Sequence, residues 1–226
     1  MNIQYLGHSS FLVTMGGKNL LLDPFISQNP KAHAISLDDI QADFILLSHG
    51  HFDHVADAEA IARKNDATII SNYEIYAWYE SKGIKGHPMN IGGSWRFPFG
   101  TIKMVNAVHS SVLPDGTYGG NPGGFLITNE DESLYFAGDT ALTMDMQLIK
   151  LFCPNLKVAI LPVGDNFTMG VSDALIASDW IGCDQVVGCH FDTFGYIEID
   201  HNSAQEVFHK NGKRLHLLHL NEIIQL

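Results

Sequence analysis

Apolar and polar positions alternate, or apolar positions run together briefly, at short intervals along all 226 residues. Ile3–Leu6, Phe11–Thr14, Leu20–Leu22, Phe44–Leu47, Thr68–Ile70, Ile102–Val108, Phe125–Thr128, Leu134–Phe136, Val158–Leu161, Gln185–Gly188 and Leu215–Leu218 have the length and alternation of strands. Helical spacing falls between several of them. Val55–Lys64 carries apolar residues on one side and ends at Lys64-Asn65, and Tyr73–Lys82 stops at Gly83. Thr140–Phe152 is a further helical segment, and Ser172–Trp180 opens with Ser-Asp. Ser203–Lys210 begins with a capping box, Ser203 with Glu206, and stops at Gly212. Ser110–Gly124 is dense in Gly and Pro and reads as a loop or hairpin. Strands mixed with helices, with no linker or fixed-period repeat, predict one α/β (α+β) domain over residues 1–226, its helices covering sheet faces.

Composition narrows the function. With 46% hydrophobic and 17% charged residues the chain can fill a core. A net charge of −12 argues against nonspecific binding to nucleic acid or an anionic membrane, which need a basic face. Bound divalent cations would reverse that balance locally, so a single phosphate on a small substrate is not excluded. Cys153, Cys183 and Cys189 are odd in number and lack metal-finger spacing, which fits a reducing compartment. Neither a signal peptide nor an apolar run of about 20 residues is visible, so the expectation is a soluble cytoplasmic protein without membrane contact. A homo-oligomer is compatible with all of this.

Chemistry concentrates in residues 48–54, Ser-His-Gly-His-Phe-Asp-His. His49, His51, Asp53 and His54 all offer imidazole nitrogen or carboxylate oxygen to a borderline divalent metal. One ion usually takes about three protein ligands plus water, so four ligands here and further histidines downstream point to two ions. The alternative is a chance cluster in a chain with twelve histidines. His109, Asp139 and His190 each follow a predicted strand, as the 48–54 run does. Alone, each is more often a satisfied structural residue. Strand ends on one edge of a sandwich converge, however, and hold ligands rigidly enough for a metal.

The chain resembles the metallo-β-lactamase superfamily hydrolases, marked by His-x-His-x-Asp-His followed by a distant His, Asp and His. The resemblance spans nearly the whole chain. It includes Tyr5-Leu-Gly-His-Ser-Ser-Phe-Leu12, Leu22-Asp-Pro-Phe25, Ala107-Val-His-Ser-Ser111, Ala137-Gly-Asp-Thr140, Leu161–Gly170 and His190-Phe-Asp-Thr-Phe194. Within the superfamily these strings are similar to small metal-dependent hydrolases such as the L-ascorbate-6-phosphate lactonases. The resemblance implies a four-layer αββα sandwich with the site at one edge. It implies one ion on His49, His51 and His109, a second on Asp53, His54 and His190, and Asp139 bridging. Asp23 matches an aspartate that supports the histidine loop from behind; a turn residue before Pro24 is the equal alternative.

Two divalent ions, zinc first and manganese next, would share a hydroxide that attacks a small-molecule lactone, ester or amide, with Asp53 as ligand and proton acceptor. His8, Asn166, Thr168 and Thr193 follow strand ends and are candidates for gripping substrate, although turn and capping duties explain Asn and Thr there equally well. Two readings compete with the hydrolase of a small metabolite. One is a phosphodiesterase or nuclease on the same metal pair, which the acidic charge disfavours. The other is a metal-dependent ligand sensor without turnover.

Overall fold

In the computed structural model, which describes residues 1–226, two mixed sheets of seven strands face each other between two layers of helices. In the first sheet β1 (Asn2–Gly7), β2 (Ser10–Met15) and β3 (Lys18–Leu22) form an antiparallel meander. To β3 are added, in parallel, β4 (Phe44–Leu46), β5 (Thr68–Asn72) and β6 (Gly86–Met89). The second sheet repeats the scheme. There β7 (Ser94–Phe97), β8 (Gly100–Asn106), β9 (Gly123–Thr128) and β10 (Ser133–Phe136) are antiparallel. They are followed in parallel by β11 (Val158–Pro162), β12 (Gln185–Cys189) and β13 (Arg214–His216). The last strand, β14 (Ile223–Gln225), returns to the outer edge of β1, as β7 lies on the edge of β8. The halves thus share strand order and sense although no repeat is legible in the sequence.

Side-chain alternation explains the layering. Along β2, Phe11, Val13 and Met15 enter the core between the sheets while Leu12 faces the helices outside. Along β11, Val158 and Ile160 fill that same inner core, and Ala159 and Leu161 pack against helices on the other face. Burial on both faces is why such parallel strands read as unbroken apolar runs. The αββα expectation holds.

Several element boundaries differ from the pattern, each for a local reason. The helix expected over Val55–Lys64 is two, α1 (Phe52–Val55) and α2 (Ala58–Asn65). They part at Asp57, whose carboxylate is drawn aside to accept Ile26 N at 2.6 Å and Ser27 N at 2.9 Å. After α3 (Tyr73–Glu80), α4 (Gln147–Phe152) starts later than expected. Thr140 lies outside any helix and ties two loops together, its hydroxyl accepting from Val108 N and its carbonyl from Met169 N. Beyond α5 (Val171–Ile181), α6 (His201–Lys210) is capped by Asp200, which accepts Ser203 N at 3.0 Å, so the Ser203–Glu206 capping box is not formed. The 110–124 segment is a hairpin-like loop closed by an antiparallel bridge between Val112 and Tyr118. No helix is long and apolar enough to cross a membrane.

Candidate metal centre

The expected ligands come from both sheets and meet at one edge. His49, His51, Asp53 and His54 follow β4 in the first sheet; His109, Asp139 and His190 follow β8, β10 and β12 in the second. Two glycines permit the approach. Gly138 adopts a left-handed φ of +63°, and a Cβ there would lie 2.6 Å from Ser48 Cβ. A Cβ on Gly164 would fall on the His190 carbonyl oxygen.

Asp139 Oδ2 is the hub. It lies 3.0 Å from His190 Nε2, 3.2 Å from His54 Nε2, 3.6 Å from His109 Nε2 and 4.0 Å from His49 Nε2. Ligand atoms of His49, His51 and His109 form one group within 4.8 Å, and those of His8, Asp53, His54 and His190 form another. His49 Nε2 and His51 Nδ1 face each other at 3.0 Å.

A shell behind these residues settles which nitrogens are free. Asp23, fully buried, accepts from Ser48 N at 2.8 Å and from Ser48 Oγ at 2.5 Å. The single Ser48 hydroxyl proton goes to Asp23, so Ser48 Oγ accepts from His49 Nδ1 at 2.9 Å, leaving the His49 Nε2 lone pair open. His54 Nδ1 likewise donates to Asp23 at 2.8 Å, and its Nε2 points at the Asp139 carboxylate without forming a hydrogen bond. An imidazole nitrogen and a carboxylate facing each other in a buried site need a proton or a metal ion between them. Besides His54 Nε2, Asp139 Oδ1 and His190 Nδ1 are also buried without partners. Imidazole and carboxylate donors with vacant lone pairs fit divalent metal ions.

The electrostatics agree. Burial, aided by repulsion from His54, holds His49 well below the usual histidine value, and burial lowers His51 and His109 too, leaving neutral ligating rings. Burial pushes His54 down, but the Asp139 and Asp23 carboxylates outweigh it and lift it well above its usual value. In the metal-free chain a proton therefore does for His54 what a cation would. Burial likewise opposes ionisation of Asp139 and Asp53, yet His54 and His190 around the first, and His8 and His54 around the second, hold both below the carboxylate range.

None of the four expected substrate contacts lines the cleft. His8, 1% exposed, is engaged at both nitrogens, by Asp53 Oδ2 at 3.1 Å and Thr193 Oγ1 at 2.9 Å. Burial lowers His8 to about 4, so a neutral ring bridges these groups. Thr193 is buried behind it. Thr168 turns its hydroxyl to the Met169 carbonyl, and Asn166 lines a neighbouring depression. The cleft over the hub, about 630 Å³, is lined instead by His51, Asp53, Ser110, Phe167, Phe194 and Tyr196 among others. The three aromatic residues were missed. Phe194 and Tyr196 follow β12, as His190 does, and Phe167 follows β11, so extending the strand-end argument to aromatics would have found them.

A two-sheet sandwich with a histidine–aspartate centre at converging strand ends is the architecture of a metallohydrolase. The Beta-lactamase superfamily domain matches residues 2–190, and the chain belongs to that superfamily, as an enzyme of its hydrolase class. It is 56% identical over 226 residues, covering 100% of both chains, to a UPF0173 metal-dependent hydrolase of Flavobacterium johnsoniae. A Christiangramia forsetii protein of the same description is 53% identical, again over 100% of both. Among solved structures, the metallo hydrolase Igni18 of the archaeon Ignicoccus hospitalis matches with TM-score 0.90 and 32% identity, covering 99% of this chain and 97% of that one.

Proposed function

We propose that the chain, acting as one domain, hydrolyses a small-molecule lactone, ester or amide at a binuclear centre. In it His49, His51 and His109 hold one ion, Asp53, His54 and His190 the other, and Asp139 lies between. The observation that carries this is the Asp139 carboxylate with four imidazole Nε2 atoms at 3.0–4.0 Å, in a pocket that leaves buried lone pairs unmatched. Two divalent ions there, zinc first and manganese next by ligand chemistry, would bring the pKa of a water toward neutrality and polarise a substrate carbonyl.

The protein's own part is orientation. Asp23 sets His54 directly and, through Ser48, His49. Thr193 sets His8, which sets Asp53. Asp53, ionised and lining the cleft, accepts a hydrogen bond from the attacking water and directs it. No Lys or Arg lines the cleft, and the net charge is −12, which disfavours a polynucleotide substrate. The test is elemental analysis of protein purified without added metal or chelator, beside Asp139→Ala, followed by turnover of lactones, esters, amides and phosphodiesters with the metal found. About two ions per chain, reduced in the variant, and turnover of a carbonyl substrate are expected. One weakly held ion unaffected by the substitution would overturn the centre, and turnover of phosphodiesters alone would overturn the substrate class.

A further inference from the structure

Resting on the hydrolase reading above, we propose that the cleft selects uncharged substrates carrying a flat apolar group, gripped by Phe167, Phe194 and Tyr196. Phe167 is 51% exposed and Tyr196 79%, in a chain with ample core to receive aromatic rings. They come from different loops, after β11 and after β12, yet their rings meet edge to face at 6.4 Å and 79°. Phe194 completes the wall and packs on His8 at 5.5 Å. Solvent-exposed rings brought together over a catalytic centre bury little on folding and offer apolar surface to a ligand.

The loops that present them are held rather than slack. Asp165 and Asn166, just before Phe167, and Asp192, just before Thr193, are non-glycine residues in the left-handed region, at φ +62°, +56° and +58°. Asp and Asn are the non-glycine residues that adopt this region most readily, and here local hydrogen bonds fix them in it. Asp165 N donates to Met169 O, and Asp165 Oδ1 accepts from Asn166 N. Asp192 accepts from Ile199 N at 3.0 Å and pairs with His201 Nε2 at 2.6 Å. These bonds fix the loops beside the centre and so aim the rings.

Charge supplies the second half of the argument. The cleft is lined by no Lys or Arg. Tyr196 also borders the neighbouring depression, where Asp165, Asp173, Glu198 and Asp200 converge. An anionic appendage extending past the ions meets carboxylates on one side and rings on the other, whereas a neutral aryl or alkyl group loses only water.

The experiment keeps the reacting group constant and varies the appendage. γ-Butyrolactones carrying phenyl, no substituent or a carboxylate are offered to metal-loaded wild type, Phe167→Ala, Tyr196→Ala and Tyr196→Phe, with metal content measured in each. Wild type should favour the phenyl lactone. Either alanine variant should lose on the order of tenfold in kcat/KM for it, mainly through KM, while keeping its metal and losing several-fold less on the unsubstituted ring. Tyr196→Phe should retain the preference. Preference for the carboxylate, or equal losses on all three lactones with metal intact, overturns the proposal while leaving the hydrolase reading standing. If none is hydrolysed, the same ranking is read as Kd by calorimetry, and the hydrolase reading is decided by the ester, amide and phosphodiester screen above. Tighter binding of the phenyl lactone, lost in Phe167→Ala, supports the wall; equal binding overturns it.

Discussion

At the level of single side chains, buried carboxylates organise this protein. Asp23 shows the logic: it accepts three hydrogen bonds and in doing so turns two imidazoles so that their vacant nitrogens converge. Asp23→Ala would strand the donors Ser48 N and His54 Nδ1 in a buried site. A loss of about 3 kcal/mol in urea denaturation is expected, with metal affinity falling roughly 10- to 100-fold by competition with a chromophoric chelator. A second consequence concerns protons. The carboxylates that raise His54 make it hold a proton that a metal must displace. Metal affinity should therefore fall as pH falls, and binding near neutrality should release protons. Calorimetry in buffers of different ionisation enthalpy would detect that release, and a pH-independent affinity would contradict the assignment of His54 as a ligand.

Elements differ in how plainly they announce themselves. Long inner strands such as β8 and β9 are legible because their apolar residues must be buried whatever they pair with. Edge strands are not: β7 and β14 are short and largely exposed, and β6 is Gly-His-Pro-Met. Their identity lies in backbone pairing with β8, β1 and β5, which leaves little mark on side-chain pattern. Connections between elements set the site as much as the elements do. Asp57 pins the 26–27 backbone to the start of α2 through bonds to Ile26 N and Ser27 N, and Asp57→Ala should cost about 2 kcal/mol in chemical denaturation. Gly164→Ala tests a close approach instead. A Cβ there would collide with the His190 carbonyl, so the expected result is a lowered Tm together with loss of about half the bound metal, read by melting and elemental analysis.

Over the whole molecule, the proposed centre would act as a clasp between the two sheets, since the residues expected to hold it are divided between them. Ions that bind only the folded chain at about a thousandfold over Kd add about 4 kcal/mol, roughly a 10 °C rise in Tm for a domain of this size. Chelation should lower Tm by that order, reversibly, and a chelator without effect on melting would show that the ligands do not bind across the sheets. Much of this was written locally. The His49–His54 run, the strand-end placement of His109, Asp139 and His190, and the layered α/β class all follow from residue type and short-range spacing, because metal affinity and amphipathic period are properties of a few consecutive residues. The remainder depended on which distant segments are packed together. That His8 braces Asp53, that Asp200 rather than Ser203 caps α6, and that Phe167 and Tyr196 form one wall are facts about residues tens to hundreds of positions apart or about competing partners nearby. No single stretch of chain carries them, because through-space contact is set by the shared core and the folding of loops upon it.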